Sequence, residues 1–263
     1  MTDAFPVLFV SHGSPLLVGD GSQAHEFLKT VAQDLPRPKN ILVVSAHWET
    51  ETPAVSLSVE PPTIHDFVGF PRALHELRYP APGAKDLGKK TACLLEAAGL
   101  SVRRDPSRGL DHGAWVPLKL IYPKADIPVT QLSIQPHESP AYHMRVGEAL
   151  RSLRDEGTLI LASGSITHNL RAYFQGGFGR DAAMPDWVSI FSDWIAEALE
   201  QGRIKDLANY RELAPFAVRN HPTDEHLLPL FVACGSASDS LLSRRLHKSG
   251  AYGVLAMDAY ELG

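Results

Sequence analysis

Three short apolar runs that each stop at a histidine constrain this chain more than any other feature. Val7 to Val10 leads into Ser11-His12-Gly13-Ser14-Pro15, Ile41 to Ser45 into Ala46-His47-Trp48, and Leu159 to Ala162 into Ser163-Gly164-Ser165 and then His168. Runs that are apolar on both faces are what buried parallel strands need, because helices cover both sides of such a sheet. Helical spacing fills the intervals. It predicts helices over Gln23 to Asp34, Lys85 to Ala98, from Asp111 through Leu120, from Pro140 behind a Ser139 cap, over Pro185 to Gln201, and from Pro222 to Cys234. Further strands are expected at Val55 to Val59 with one face exposed, from Leu100 to Arg103, at Val129 to Ile134, and last at Gly253 to Met257. Thr63 to Gly83 holds too much Pro and Gly for a long regular element and reads as a rigid, aromatic-bearing loop beside a binding site. Alternating strands and helices predict an α/β class, a single-domain sandwich over 1–263 with a central, largely parallel or mixed sheet flanked by helices.

Composition narrows the functions. A chain of 263 residues with 44% hydrophobic and 21% charged residues has enough apolar side chain for a substantial core. Its formal net charge of -5 and the lack of a dense Lys/Arg run argue against a nucleic-acid partner. No signal-peptide pattern and no apolar stretch of bilayer length is visible, so a cytoplasmic protein with no membrane partner is expected, as monomer or homo-oligomer. Cys93 and Cys234 both sit in helix-like apolar patterns and read as buried thiols. Histidine is the unusual residue, with 12 copies.

In a parallel sheet, ligands bind beyond the carboxyl ends of the strands, so His12, His47 and His168 can share one cleft. Neutral imidazole is a common ligand of Fe(II) and Zn(II), and several at strand ends point to a metal. His221 and His226 add two candidates in Asn-His-Pro-Thr-Asp-Glu-His, where the five-residue separation cannot place both on one helix face. With Pro222 at the first helical position, His221 falls at the boundary and His226 inside the helix, which makes His226 the preferred ligand and His221 a cap. Asp111 reads either as the cap of its helix or as a partner that orients an imidazole. Phe67, Phe70 and Trp48 are candidates for aromatic walls, and His65 for contact with a substrate's side chain.

Taken together, Ser11-His12-Gly13-Ser14-Pro15, Ser45-Ala46-His47-Trp48, Asp66-Phe67-Val68-Gly69-Phe70-Pro71, Tyr79-Pro80-Ala81-Pro82-Gly83, Asp111-His112-Gly113-Ala114-Trp115, His168-Asn169-Leu170 and His221-Pro222-Thr223-Asp224-Glu225-His226 resemble the DODA-type extradiol dioxygenases. These are class III extradiol enzymes, related to the catalytic subunit of protocatechuate 4,5-dioxygenase. The resemblance runs over nearly the whole chain. It implies opening of a catechol ring with dioxygen to a semialdehyde. It also implies a non-haem Fe(II) held by His12, His47 and His226, although Asp224 and Glu225 stand beside the third ligand. His168 is implied as the acid-base group, titrating near neutrality; with Zn(II) as the bound metal, His168 instead joins the ligands. His112 is the second catalytic candidate, acting on the oxygen side. His65, Phe67 and Trp48 are then the substrate-binding candidates. Two other readings compete: a zinc hydrolase on the same scaffold, and a non-enzymatic member that binds a partner in the cleft.

Overall fold

The computed structural model describes residues 4–238 and 242–263. Its strands are β1 (Val7–Ser11), β2 (Asn40–Glu49), β3 (Ala54–Ser56), β4 (Arg103–Asp105), β5 (Val129–Ile134), β6 (Thr158–Gly164), β7 (Ser243–His247), β8 (Gly250–Ala251), β9 (Leu255–Ala256) and β10 (Ala259–Leu262). An eight-stranded sheet in the order β4-β3-β5-β2-β6-β1-β10-β7 forms the centre, and β8 pairs with β9 in a separate ribbon. The middle four strands, β5, β2, β6 and β1, are mutually parallel, with Val7 opposite Ile160 and Ile41 opposite Leu159. Antiparallel pairs flank them, β3 on β5 at one side and β10 on β1 at the other, so the sheet is mixed.

The parallel strands form where both faces are apolar. Every residue of β1, β5 and β6 is buried, and each fully buried Val or Leu side chain contributes about 1.5–3 kcal/mol relative to exposure. The helices are α1 (Gln23–Thr30), α2 (Arg72–Glu76), α3 (Lys85–Ala97), α4 (His112–Ile121), α5 (Pro140–Leu150), α6 (Leu170–Gly176), α7 (Asp186–Glu200), α8 (Ile204–Ala208), α9 (Tyr210–Leu213), α10 (Ala217–Asn220) and α11 (Leu228–Ser236). α11 packs on α5 and over β6, β1 and β2, while α4 packs on β2, β6 and α1. Ser139 caps α5 by accepting from the Tyr142 amide at 3.2 Å, and Asp111 caps α4 by accepting from the Ala114 amide at 3.2 Å. Among the described residues no helix is long and apolar enough to cross a membrane.

Four expectations change. The strand at Val55 to Val59 ends at Ser56 and is wholly buried, because the Thr130 hydroxyl takes the Ser56 carbonyl and the chain turns away to meet Gly83. The helix placed at Pro222 begins only at Leu228; before it, the Asp224 carbonyl collects the Leu227 and Leu228 amides in a turn. In place of a last strand at Gly253 to Met257 there is a turn and the short β9, and the closing strand of the main sheet is β10. Cys234 is buried as expected, but Cys93 lies on the exposed side of α3.

Candidate metal centre

Because β2, β6 and β1 are parallel neighbours, their carboxyl ends share one edge of the sheet. His12 follows β1 directly, and Gly13 turns the chain away at a φ of +58°, where a Cβ would strike the Met257 methyl at 2.7 Å. His47 lies on β2 past Ser45, the last residue paired with β6, in a stretch where the register against β5 also shifts. His226 reaches the same edge from the turn before α11. Gly164 permits this, since a Cβ there would sit 2.2 Å from the His226 carbonyl, which instead accepts the Ser165 amide at 2.8 Å.

One ring nitrogen from each of His12, His47 and His226 lies within 4.8 Å of the other two. The hydrogen bonds behind the rings decide which nitrogens face inward. Ser163 donates its one hydroxyl proton to the Gly113 carbonyl, so it can only accept from His12 Nδ1, 3.0 Å away. His12 Nε2 is therefore left with a bare lone pair, and it stands 2.9 Å from His47 Nε2. His226 Nδ1 donates to Glu225 Oε1 at 3.0 Å, which likewise leaves its Nε2 bare. Burial comes first among the causes that push the His12 and His226 pKa values far down and that of His47 to about 4, followed by the neighbouring imidazoles. Neutral imidazole nitrogens converging on one point, those of His12 and His226 held from behind and His47 with its Nδ1 3.7 Å from Asp66 Oδ2, form a donor set that could hold a divalent cation.

Two further histidines flank this trio. His112, at the start of α4, packs 3.9 Å from the His47 ring by centroids and donates from Nδ1 to Asp66 Oδ1 at 2.9 Å. Burial works to raise the Asp66 pKa, yet its bonds to His112 and the charge there outweigh burial and hold it at about 2. His168 stacks on His226 with centroids 3.4 Å apart, its amide bonded to the Asn220 carbonyl at 3.0 Å. Its Nδ1 lies 3.8 Å from Glu225 Oε1, so Glu225 faces both rings. Burial, chiefly, lowers the His168 pKa to about 4 against the pull of Glu225, which keeps the ring neutral.

The other sequence candidates fall at different depths. His12, His47, His112, His168, His226 and Phe67 all border one cavity of about 670 Å³. Trp48 does not border it; on a strand its side chain points opposite to His47, and it is buried under the Arg108 guanidinium. His65 also stands behind the wall, bonded to the Leu77 carbonyl at 2.9 Å and packed against Phe67 and Trp115. His221 closes α10 and gives its Nε2 to the Ile166 carbonyl at 2.7 Å, while Asp224 is engaged by Tyr210 and Arg211. Asp111 takes the Ser45 hydroxyl at 2.6 Å and Arg108 at 2.7 Å beyond its cap, and it acts on His47 through its charge. Sequence reasoning missed the partners Asp66, Ser163 and Glu225 as such. Adjacency to His226 was a signal for Glu225; Ser163 and Asp66 meet their histidines only through the fold.

A model of the catalytic LigB subunit of aromatic ring-opening dioxygenase matches residues 6–258. A "4,5-DOPA dioxygenase extradiol" from Beta vulgaris is 40% identical over 257 residues, covering 96% of this chain and 94% of that protein. A protein of the same name from Escherichia coli is 39% identical over 234 residues, covering 88% and 84%. Among solved structures, an uncharacterised protein of Escherichia coli K12 superposes with a TM-score of 0.79 at 32% identity, covering 98% of this chain and 100% of that one.

Proposed function

We propose, since this chain belongs to the family of the catalytic LigB subunit of aromatic ring-opening dioxygenases, that its histidine pocket binds a catechol and opens the ring beside the two hydroxyls, both atoms of dioxygen entering a semialdehyde product. The observation that carries this reading is the trio of imidazole nitrogens meeting at the carboxyl edge of the sheet, with those of His12 and His226 bare. His12, His47 and His226 hold a divalent metal, Fe(II) in the active protein, with Zn(II) accepted by the same donors. When bound, Fe(II) supplies the Lewis acidity and the one-electron chemistry that couples an electron-rich ring to dioxygen.

The remaining steps belong to the protein. His168 takes a proton from a catechol hydroxyl, because burial keeps its ring neutral and the Glu225 carboxylate supports the positive charge it gains. His112 stands on the other side of the trio with Asp66 behind it, placed to handle the second proton. Phe67 gives the substrate ring an apolar face. All these groups come from one chain, so the site is complete in a monomer and in each subunit of a homo-oligomer; a cytoplasmic location suits a metal that oxidises readily.

Protein loaded with Fe(II) under argon and then given a panel of catechols in oxygenated buffer tests the reading. It predicts oxygen uptake together with a yellow semialdehyde absorbance. No uptake with any catechol contradicts it and favours the zinc-hydrolase alternative.

A further inference from the structure

We infer that His221, fully buried and outside the cavity wall, is a positioning residue: its ring N–H anchors the loop that carries His168 where this histidine can take a proton from the substrate. The inference rests on the ring-opening reading and on the part given there to His168. Among the described residues the His168 ring makes no hydrogen bond, since Glu225 Oε1 at 3.8 Å lies too far for one. The ring stacks on His226 with centroids 3.4 Å apart. Its place is therefore set by the backbone that carries it.

Hydrogen bonds tie residues 165–168 to the segment 220–226, which ends in the proposed metal ligand His226. The Ser165 amide donates to the His226 carbonyl at 2.8 Å, and the His168 amide to the Asn220 carbonyl at 3.0 Å. Both are backbone bonds that many side-chain sequences would permit. A further one comes from a side chain: His221 Nε2 donates to the Ile166 carbonyl at 2.7 Å, two residues before His168. A carbonyl only accepts, so Nε2 carries the proton and Nδ1 keeps a bare lone pair.

Nothing donates to that second nitrogen. Nδ1 is buried without a partner among the described residues, and the rings of Phe191 and Tyr210 stand with centroids 5.7 and 6.4 Å away. Packing alone would favour a phenyl ring in this aromatic setting, because it has no polar atom to leave unpaired. What the imidazole adds is the N–H aimed at the loop before His168. His221 and His226 belong to one short segment, so this bond fixes the proton acceptor to the stretch of chain that presents the metal ligand. A small misplacement between such groups is costly for the reaction.

The test sets His221→Phe, which keeps the ring shape and loses the N–H, against His221→Gln, whose amide can donate from a similar position. Fold is checked by circular dichroism and metal content after dialysis. Two readouts follow: kcat and KM for oxygen uptake by Fe(II)-loaded protein, and the colour of 4-nitrocatechol bound to Zn(II)-loaded protein under argon, which reports loss of its second hydroxyl proton. His221→Phe should keep its metal and its KM, lose kcat by about 10- to 100-fold, and turn bound nitrocatechol to the dianion about one pH unit higher than the unaltered protein does. His221→Gln should recover most of both. Unaltered kcat and colour in His221→Phe, or equal impairment of the two variants, overturns the inference. A His221→Phe that unfolds or loses metal also overturns it, because the ring is then structural. Should no catechol drive oxygen uptake while nitrocatechol colour still separates the variants, the ring-opening reading falls and the inference about His221 stands.

Discussion

The floor and the rim of the histidine-lined cavity are built on opposite principles. On the floor, His12 and His226 are almost wholly buried, and each has its outer nitrogen fixed by a named partner, Ser163 or Glu225. On the rim, Val68 and Phe174 are apolar yet 90% and 77% exposed, and they sit on a loop and a short helix. Under the proposed function, rigid strand ends specify the chemistry, and weakly held apolar side chains border the entrance to it. Substitution on the floor should therefore change whether the reaction occurs, and substitution on the rim only which molecules undergo it.

The sharpest way to break this contrast is on the floor. His12→Ala removes a buried donor, and metal content measured after dialysis should fall to background, with turnover lost. His168→Ala should keep its metal but lose kcat by roughly 10²- to 10⁴-fold, the usual worth of a positioned proton acceptor; loss of metal in this variant and retention in His12→Ala would reverse the division of roles. Ser163→Ala and Glu225→Gln act one step further out and should weaken metal affinity by roughly 10- to 100-fold, read by competition with a chelator.

Acid should distinguish the two regions as well. His47, His168 and His221 are each held at about 4, against an ordinary value near 6.5, with burial the first cause. Between those values the unfolded chain binds more protons than the folded one, so stability is fully present above about pH 6.5 and is lost as pH falls toward 4. Urea midpoints of metal-free protein should therefore decline across that window, and a flat profile would show that the rings are not buried neutral. The smallest effect belongs to the rim: Val68→Ser should shift stability by no more than about 0.5 kcal/mol while raising KM for apolar catechols more than it lowers kcat.

The same contrast explains what could be read from the chain. The central strands at Val7, Val129 and Leu159 were legible because burial on both faces leaves an unbroken apolar run. β7 was not, since Ser-Arg-Arg-Leu-His at the sheet's edge keeps its polarity through ion pairs of Arg244 with Glu261 and Arg245 with Asp258. The Pro222 helix failed because propensity at one proline was overruled by Asp224, whose carboxylate is tied to Tyr210 and Arg211 and whose carbonyl holds a turn. The histidines on strand ends announced themselves by position. Their partners Ser163 and Asp66 did not, lying 151 and 46 residues away from His12 and His112. Trp48 is the instructive case: the alternation of a strand already turned it from the side His47 faces, while its aromatic character alone suggested a wall.

The central claim, that the converging ring nitrogens of His12, His47 and His226 create a site where a catechol and dioxygen react, is tested most directly with isotopically labelled dioxygen. Fe(II)-loaded protein is given a catechol under the labelled gas, and the product is reduced at once to stop exchange of its aldehyde oxygen with water and then weighed by mass spectrometry. The account predicts a ring-opened product carrying two labelled atoms. An unlabelled product, or one with label from labelled water alone, would contradict it.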